Sequence, residues 1–319
     1  MPLKIMLRTV PPALALLLSL PASAAEWTYT DGAGTTVTLP EPPTRIIAHS
    51  TVAAALIPYG IRPIGILRDG PPSLDRTLDG VDVTGIPVVS RGWFEIDAEA
   101  VLNLNPDIII TEYALAEQIY QGGTNEDAIS ERLSAIAPIV GIPRSNSIVD
   151  ILETYRDFAA SLGADTDTDQ LNAEKARFDA SVETLKSALT EKPDLILAAA
   201  SPGGSAISVA VPSYFGELND WQGWGVRFYS PHVDPDSSYT TLSWENVTDI
   251  KADILLLDDR WESSALATIE ANPIGKRHPA IIAHQTGDWP AEWIRNYAAY
   301  AAEIEELTAL IQQSEKLAD

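Results

Sequence analysis

Cysteine is absent from all 319 residues, methionine occurs twice and histidine only four times. Without thiols there is no disulfide to form, no thiolate metal ligand, no cysteine nucleophile and no attachment point for a thioether-linked lipid. The histidines, at 49, 232, 278 and 284, include no short-spaced pair of the kind that zinc or manganese sites use. A single histidine or tyrosine could still ligate haem iron. Basic residues are scarce too, 21 against 45 acidic, for a net charge of −24. A phosphate backbone requires a basic surface, so nucleic acid is excluded as a partner. No nucleophile elbow occurs, and Ser201-Pro-Gly-Gly-Ser205 lacks the lysine and the spacing of a phosphate-cradling loop. The chain reads as a binding protein and not an enzyme.

Long apolar runs are missing as well. Lys4 and Arg8 precede an apolar run at 13–20 and then Ala22-Ser23-Ala24, the pattern of a cleavable export signal over residues 1–25. That run is half of the roughly 20 apolar residues a membrane-spanning helix needs. Setting it aside removes Lys4 and Arg8, leaving 19 basic against 45 acidic residues and a charge of −26. The remainder, about 295 residues, is long enough for two domains.

What is present is an alternation of short apolar runs with helical stretches. Residues 27–39 alternate around Asp31-Gly32-Ala33-Gly34 as a hairpin would. Strands are expected at 45–49, 63–67, near 86–89 and at 107–111, with helices over 51–59 and from Asp97. A second series follows: strands at 194–199, 226–229 and 253–257, helices after Pro212 and near Ser243, a last apolar run at 280–284, and a helix over 292–316. Such alternation implies parallel pairing and an α/β fold.

Between the two series lies residues 168–192, where Leu171, Phe178, Val182, Leu185 and Leu189 fall on one stripe of a helix. The Asp/Thr run before it offers N-caps and Pro193 stops it. The expected organisation is a first α/β lobe over 26–166, one long linking helix over 167–192 and a second α/β lobe over 193–319. One internal match supports duplication. Glu99-Ala-Val-Leu-Asn-Leu-Asn-Pro-Asp107-Ile-Ile-Ile lies over Glu245-Asn-Val-Thr-Asp-Ile-Lys-Ala-Asp253-Ile-Leu-Leu, with eight positions from glutamate to aspartate in both. A rod joining two lobes should permit only small closure.

With Asp31-Gly32, 43–47, Tyr59-Gly60-Ile61-Arg62-Pro63-Ile64-Gly65, the Glu99-to-Asp107 segment, Ala135-Ile136-Ala137-Pro138 and Ser243-Trp244-Glu245 to Asp253, the chain resembles the substrate-binding proteins of ABC importers for iron-siderophores, haem and cobalamin. Ala252 stands where that family often has proline. The resemblance implies a periplasmic, monomeric carrier of an iron chelate, foremost a ferric siderophore, with haem or cobalamin as the alternative ligand. A sensor module on the same body is the alternative of another class. No cofactor and no bare-metal site are implied. It also implies that Glu99 and Glu245 dock on arginines of an inner-membrane permease, although an acidic residue in a first helical turn also complements the helix dipole.

Ligands of open α/β sheets lie beyond the carboxyl ends of the strands. Loops there carry His49, Ser50, Arg68, Arg91, Trp93, Tyr113, Ser201 to Ser205, Tyr229, His232, Arg260, Trp261 and Trp289. Arg91, Trp93, Tyr113, Arg260 and Trp289 are the leading ligand contacts, with Arg68, Tyr229 and Trp261 behind them. Asp259-Arg260 resembles the "DR" pair of some catecholate-siderophore binders, and Arg91 and Tyr113 stand near where hydroxamate binders have an arginine and a tyrosine. Arginine and aromatic side chains together suit a flat or anionic ligand.

Overall fold

The structure is a computed structural model that describes residues 26–317 except 69, 71–74, 91–94, 125–126, 230–236, 261–263 and 292. The expected export segment, 1–25, lies outside the described residues. Strands β1 (Trp27–Thr30) and β2 (Thr36–Leu39) form the hairpin, its turn closed by Asp31 Oδ1, which accepts the amides of Ala33 and Thr35. In the first lobe, β3 (Ile46–His49), β4 (Gly65–Leu67), β5 (Ile108–Ala114) and β7 (Ile139–Arg144) run parallel in the order β4-β3-β5-β7, while the short β6 (Ile119–Tyr120) pairs antiparallel with the end of β5. Its helices are α1 (Ser50–Leu56), α2 (Ala98–Asn103), α3 (Asp127–Ser134) and α4 (Ile148–Ser161). Then α5 (Asp169–Glu191) leads to the second lobe. There β8 (Leu197–Pro202), β9 (Ala206–Ala210), β10 (Tyr239–Ser243), β11 (Ile254–Asp258) and β12 (Thr286–Trp289) pair in the order β10-β9-β8-β11-β12, with β8, β11 and β12 parallel. Helices α6 (Gly216–Gly223), α7 (Ala265–Ala271), α8 (Pro279–Ile282) and α9 (Tyr297–Gln313) complete it. No helix among the described residues is long and apolar enough to cross a membrane.

The linking helix forms as its sequence requires. Thr168 caps it by accepting from the Leu171 amide, and it ends at Lys192, ahead of Pro193. Its 23 residues span about 34 Å at the rise of an α-helix. Phe178, Ser181, Val182, Leu185 and Ala188 are buried, against α9 among other neighbours, and Arg177 pairs with Glu305 across that contact.

The duplicated motif is a physical equivalence. Asp107, just before β5, accepts the amide of Arg45, just before β3, at 2.8 Å; Asp253, just before β11, accepts the amide of Ile196, just before β8, at the same 2.8 Å. Each aspartate also returns its own amide to that same residue's carbonyl. Both carboxylates therefore set the register of their lobe's central strand pair.

The structure departs from the sequence reading in several places. Residues 280–284 continue a helical turn begun by Pro279 and capped by His278; the strand is Thr286–Trp289, which has little apolar content because it sits at a sheet edge. The expected strand at 226–229 shrinks to a parallel bridge between Phe228 and Leu197. The helix near Ser243 is a 3-10 segment, Trp244–Asp249. The expected strand near 86–89 is likewise a single parallel bridge, Val88 to Ile66, and strands β6, β7, β9 and β10 and helices α3, α4 and α7 have no counterpart in the sequence reading.

Alternation along the strands sorts side chains to two faces. Ile108 and Ile110 of β5 and Ile254 and Leu256 of β11 join one core that runs through both lobes with α1, α4, α5, α6 and α9. Ile109 and Leu255 with Leu257 belong to separate outer cores, one per lobe. The inner faces thus share one interior, and polar contacts fasten it. Glu112 on β5 forms a two-pronged ion pair with Arg295 at 2.6 and 2.9 Å, the side chains 3% and 2% exposed, and Tyr155 Oη donates to the same carboxylate. Asp220 on α6 accepts the Ile148 and Val149 amides at the start of α4 and the Tyr300 hydroxyl, so a second-lobe carboxylate caps a first-lobe helix. Tyr297 on α9 donates to Glu153 on α4, and Arg76 pairs with Asp259.

Burial alone would raise the Glu112 carboxyl, but the charge and hydrogen bonds of Arg295 outweigh it and hold the group at about 2. Its stabilisation is present above the unfolded value near 4.5 and is lost as pH falls toward 2. Asp259 and Glu303 are shifted the other way, to about 6 and about 7, by burial first. Their contribution is present below the ordinary carboxylate range and lost as pH rises through 6 to 7. Thermal melts against pH should therefore peak between these limits, falling on the acid side and again toward pH 8. Glu112→Gln should cost about 3 kcal/mol in urea unfolding at neutral pH, since it leaves a buried guanidinium without its counter-charge; a loss under about 1 kcal/mol would remove the pair from the account.

Candidate functional site

Parallel strands bring their carboxyl ends to one side, and here both lobes present theirs to a common cleft. Arg144, Ser145 and Asn146 come from the end of β7, Ile148 and Ile151 from α4, and Glu117 from the turn after β5. The opposite wall is Tyr214 to Glu217, Ser238 and Tyr239, with Arg260 beyond β11 and Arg295 beyond β12. The enclosed volume is about 200 Å³, below the roughly 300–1,000 Å³ of pockets that swallow a drug-sized ligand, so a larger guest would sit in a shallow seat and protrude. Two roomier hollows, of about 410 and 330 Å³, lie within the second lobe alone, at the 201–208 turn and between β12 and α9.

Arginines are the distinctive feature of the cleft in so acidic a chain, and each is built in. Arg260 forms two bonds to Asp258, at 2.9 and 2.7 Å, donates to Tyr239 Oη at 2.8 Å, and lies over the Trp289 ring with 5.8 Å to its centroid. Burial pushes the Asp258 carboxyl up, but the Arg260 hydrogen bonds and charge prevail and hold it below its usual range. Arg295 is held by Glu112 in the same two-pronged way. Glu112 and Asp258 are themselves equivalents: each stands five residues after the duplicated aspartate, toward the carboxyl end of its lobe's central strand and on the face of the shared core. Each lobe thus sets a buried carboxylate under one cleft arginine. Arg144 faces Glu117 at 4.0 Å.

The sequence-derived candidates fall in different places. Arg260 lines the cleft. Trp289 is fully buried beneath it, its indole N–H donating to Glu217 at 2.7 Å, and serves as a backing. Tyr113 points to the other face of β5 from Glu112, packed edge-on to Tyr120 and under the first hairpin, where Gly32 and Gly141 leave it room. Arg68 is half-buried beside Ser90, outside the cleft lining. Tyr229 packs on the outer core of the second lobe. His49 and Ser50 are buried; Gly122, at φ +68°, passes so close to the His49 ring that a side chain there would collide with it. Arg91, Trp93, His232 and Trp261 lie outside the described residues. Glu99 and Glu245 are exposed, in the first turns of α2 and the 3-10 segment. Sequence reasoning missed Arg144 and Arg295, because it missed β7, which Arg144 ends, and β12, which precedes Arg295. A legible signal did exist, in the acidic residue that closes each apolar run, Ile108-Ile-Ile-Thr-Glu112 and Ile254-Leu-Leu-Leu-Asp258. Among the described residues no three histidine or carboxylate side chains are grouped to hold a metal ion.

Three comparisons bear on this geometry. The family described as periplasmic binding protein matches residues 74–292. The Fe(3+)-citrate-binding protein YfmC of Bacillus subtilis is 24% identical over 254 residues, 79% of this chain and 74% of its own. Among solved structures, the ferric-siderophore receptor protein DesE of Streptomyces coelicolor aligns over 92% of this chain and all of its own, with 28% identity and a TM-score of 0.82. The petrobactin-binding protein YclQ of Bacillus subtilis, at 18% identity over 91% of this chain and 99% of its own, shares the fold with a TM-score of 0.68.

Removing the Arg260 guanidinium leaves Asp258 buried without its counter-charge, so Arg260→Gln should destabilise by roughly 2 kcal/mol, whereas in an Asp258→Asn background the same change should cost less than about 1 kcal/mol. Urea unfolding of the four proteins reads the coupling directly; additive losses would mean that the arginine is not held by this carboxylate.

Proposed function

The chain belongs to the periplasmic binding protein family, a family of binders and not catalysts, and from that premise we propose that it captures a ferric siderophore or similar iron chelate between its lobes and delivers it to an ABC permease. The observation that carries this reading is the cleft itself, where Arg144, Arg260 and Arg295 converge from both lobes beside Tyr214 and Tyr239. Guanidinium groups give directed hydrogen bonds to the oxygen-rich periphery of an iron chelate, and aromatic rings cover its flat faces. The iron(III)-citrate binder and the ferric-siderophore receptor among the similar proteins point to the same cargo. Iron enters as part of the ligand, already chelated.

Export to the periplasm, with residues 1–25 as the signal, belongs to the same proposal. So does docking through Glu99 and Glu245, which are exposed at equivalent points of the two lobes, each eight residues ahead of the aspartate that sets its sheet. Two charges at fixed separation orient a partner as well as attract it.

Trp289 beneath Arg260 and Trp293, which donates to Asp259, place indoles next to the cleft. Tryptophan emission should therefore be quenched by ferric chelates at submicromolar concentration. A response to haem or a corrinoid alone would reassign the cargo. Replacing Glu99 and Glu245 together with alanine should abolish uptake in cells and leave chelate binding intact; undiminished uptake would refute the docking role.

A further inference from the structure

The three arginines that line the cleft among the described residues suggest a highly anionic ligand until their partners are counted. Arg295 is matched by Glu112 and Arg260 by Asp258, both carboxylates being buried and bound at 2.6–2.9 Å. Glu217, itself buried, adds another negative charge to the wall. Arg144 is opposed by Glu117, which also lines the cleft. Among the described residues the cleft arginines are thus each offset by a carboxylate, on a chain whose overall charge repels anions further.

The three offsets differ in kind. Glu112 and Asp258 are locked into the shared core, and a ligand cannot displace them. Glu117 is half-exposed, 4.0 Å from Arg144, on the short turn between β5 and β6, where Gln118 adopts a left-handed conformation at φ +58°. At that separation in a partly solvated site, its charge acts on Arg144 and on any guest without being fixed to either.

Resting on the reading of the cleft as an iron-chelate site, we propose that Glu117 is a specificity-determining residue that tunes this cleft to ferric chelates of low net charge, of the trihydroxamate class, and against polyanionic tris-catecholates. A neutral chelate takes hydrogen bonds from Arg260 and the cleft hydroxyls without confronting Glu117. A trianionic one must approach that carboxylate, or displace it from Arg144, while gaining little from arginines already neutralised.

The test compares the full chain with Glu117→Gln in fluorescence titrations against a neutral ferric trihydroxamate, ferric citrate and a trianionic ferric tris-catecholate, at low and at high salt. The expected result is that the unaltered protein prefers the trihydroxamate over the tris-catecholate by roughly tenfold or more, and that Glu117→Gln narrows the ratio by about threefold to tenfold, with the narrowing weaker in high salt. Melting temperatures of the two proteins establish that the fold is the same. A tris-catecholate preference in the unaltered protein, or a ratio indifferent to Glu117→Gln, overturns the specificity role and leaves the iron-chelate reading standing. Binding of no ferric chelate by either protein overturns that reading, and the specificity role with it.

Discussion

Glu112 and Arg295, separated by 183 positions in the chain, meet in a fully buried two-pronged ion pair at the boundary of the lobes. The rest of the molecule depends on that contact more than on any other. Two charges taken out of water hold only if the geometry is good and the remaining lone pairs and N–H groups are satisfied, which the Tyr155 hydroxyl does for Glu112 and the Ile294 carbonyl for Arg295. Because the pair joins β5 of one lobe to the segment leading into α9 of the other, it fixes the floor of the cleft. The shared core and the Asp220 cap on α4 act in the same direction. Two sheets that could have been separate bodies on a rod are fused along their inner faces.

The binding surface follows from this fusion. Each lobe begins its central strand pair with an aspartate that sets register, Asp107 or Asp253, and carries toward the carboxyl end of the strand a carboxylate that holds a cleft arginine, Glu112 or Asp258. One structural device, used twice, aligns the sheets at one end and arms the cleft at the other. The arginines are consequently rigid, which lowers the entropy lost when a guest binds, and electrically moderated, which limits how much charge the guest can bring.

Local patterns made the frame legible. The stripe from Phe178 to Leu189, the cap at Thr168 and the stop at Pro193 announce α5 without help from the rest of the fold, and the glutamate-to-aspartate spacing announces the duplication. Where the reading failed, tertiary context had overridden local preference. Strand β7, Ile139–Arg144, carries Gly141 and Pro143, both poor strand formers, yet pairs along its length with β5, and Gly141 is required there by the Cβ of Tyr113 and the ring of Tyr120. Strand β12 is nearly without apolar residues. The apolar run at 280–284 looked more strand-like than the strand that follows it, but Pro279 starts a helical turn there. Arg144 and Arg295 were hidden by those two omissions. Trp289, expected in a loop after a strand, is the last residue of β12 and faces inward, an orientation that only the packing of Phe215, Tyr239 and Arg260 around it decides.

If the lobes are fused as described, binding should barely move them. The cysteine-free sequence lends itself to the measurement: Glu131→Cys on α3 and Lys276→Cys in the second lobe, both exposed, would carry the only two spin labels in the protein. The distance between them by pulsed electron paramagnetic resonance should change by less than about 2 Å on saturation with a ferric chelate, as expected of a preorganised site. A shift beyond roughly 5 Å, the scale of hinge closure, would contradict the account.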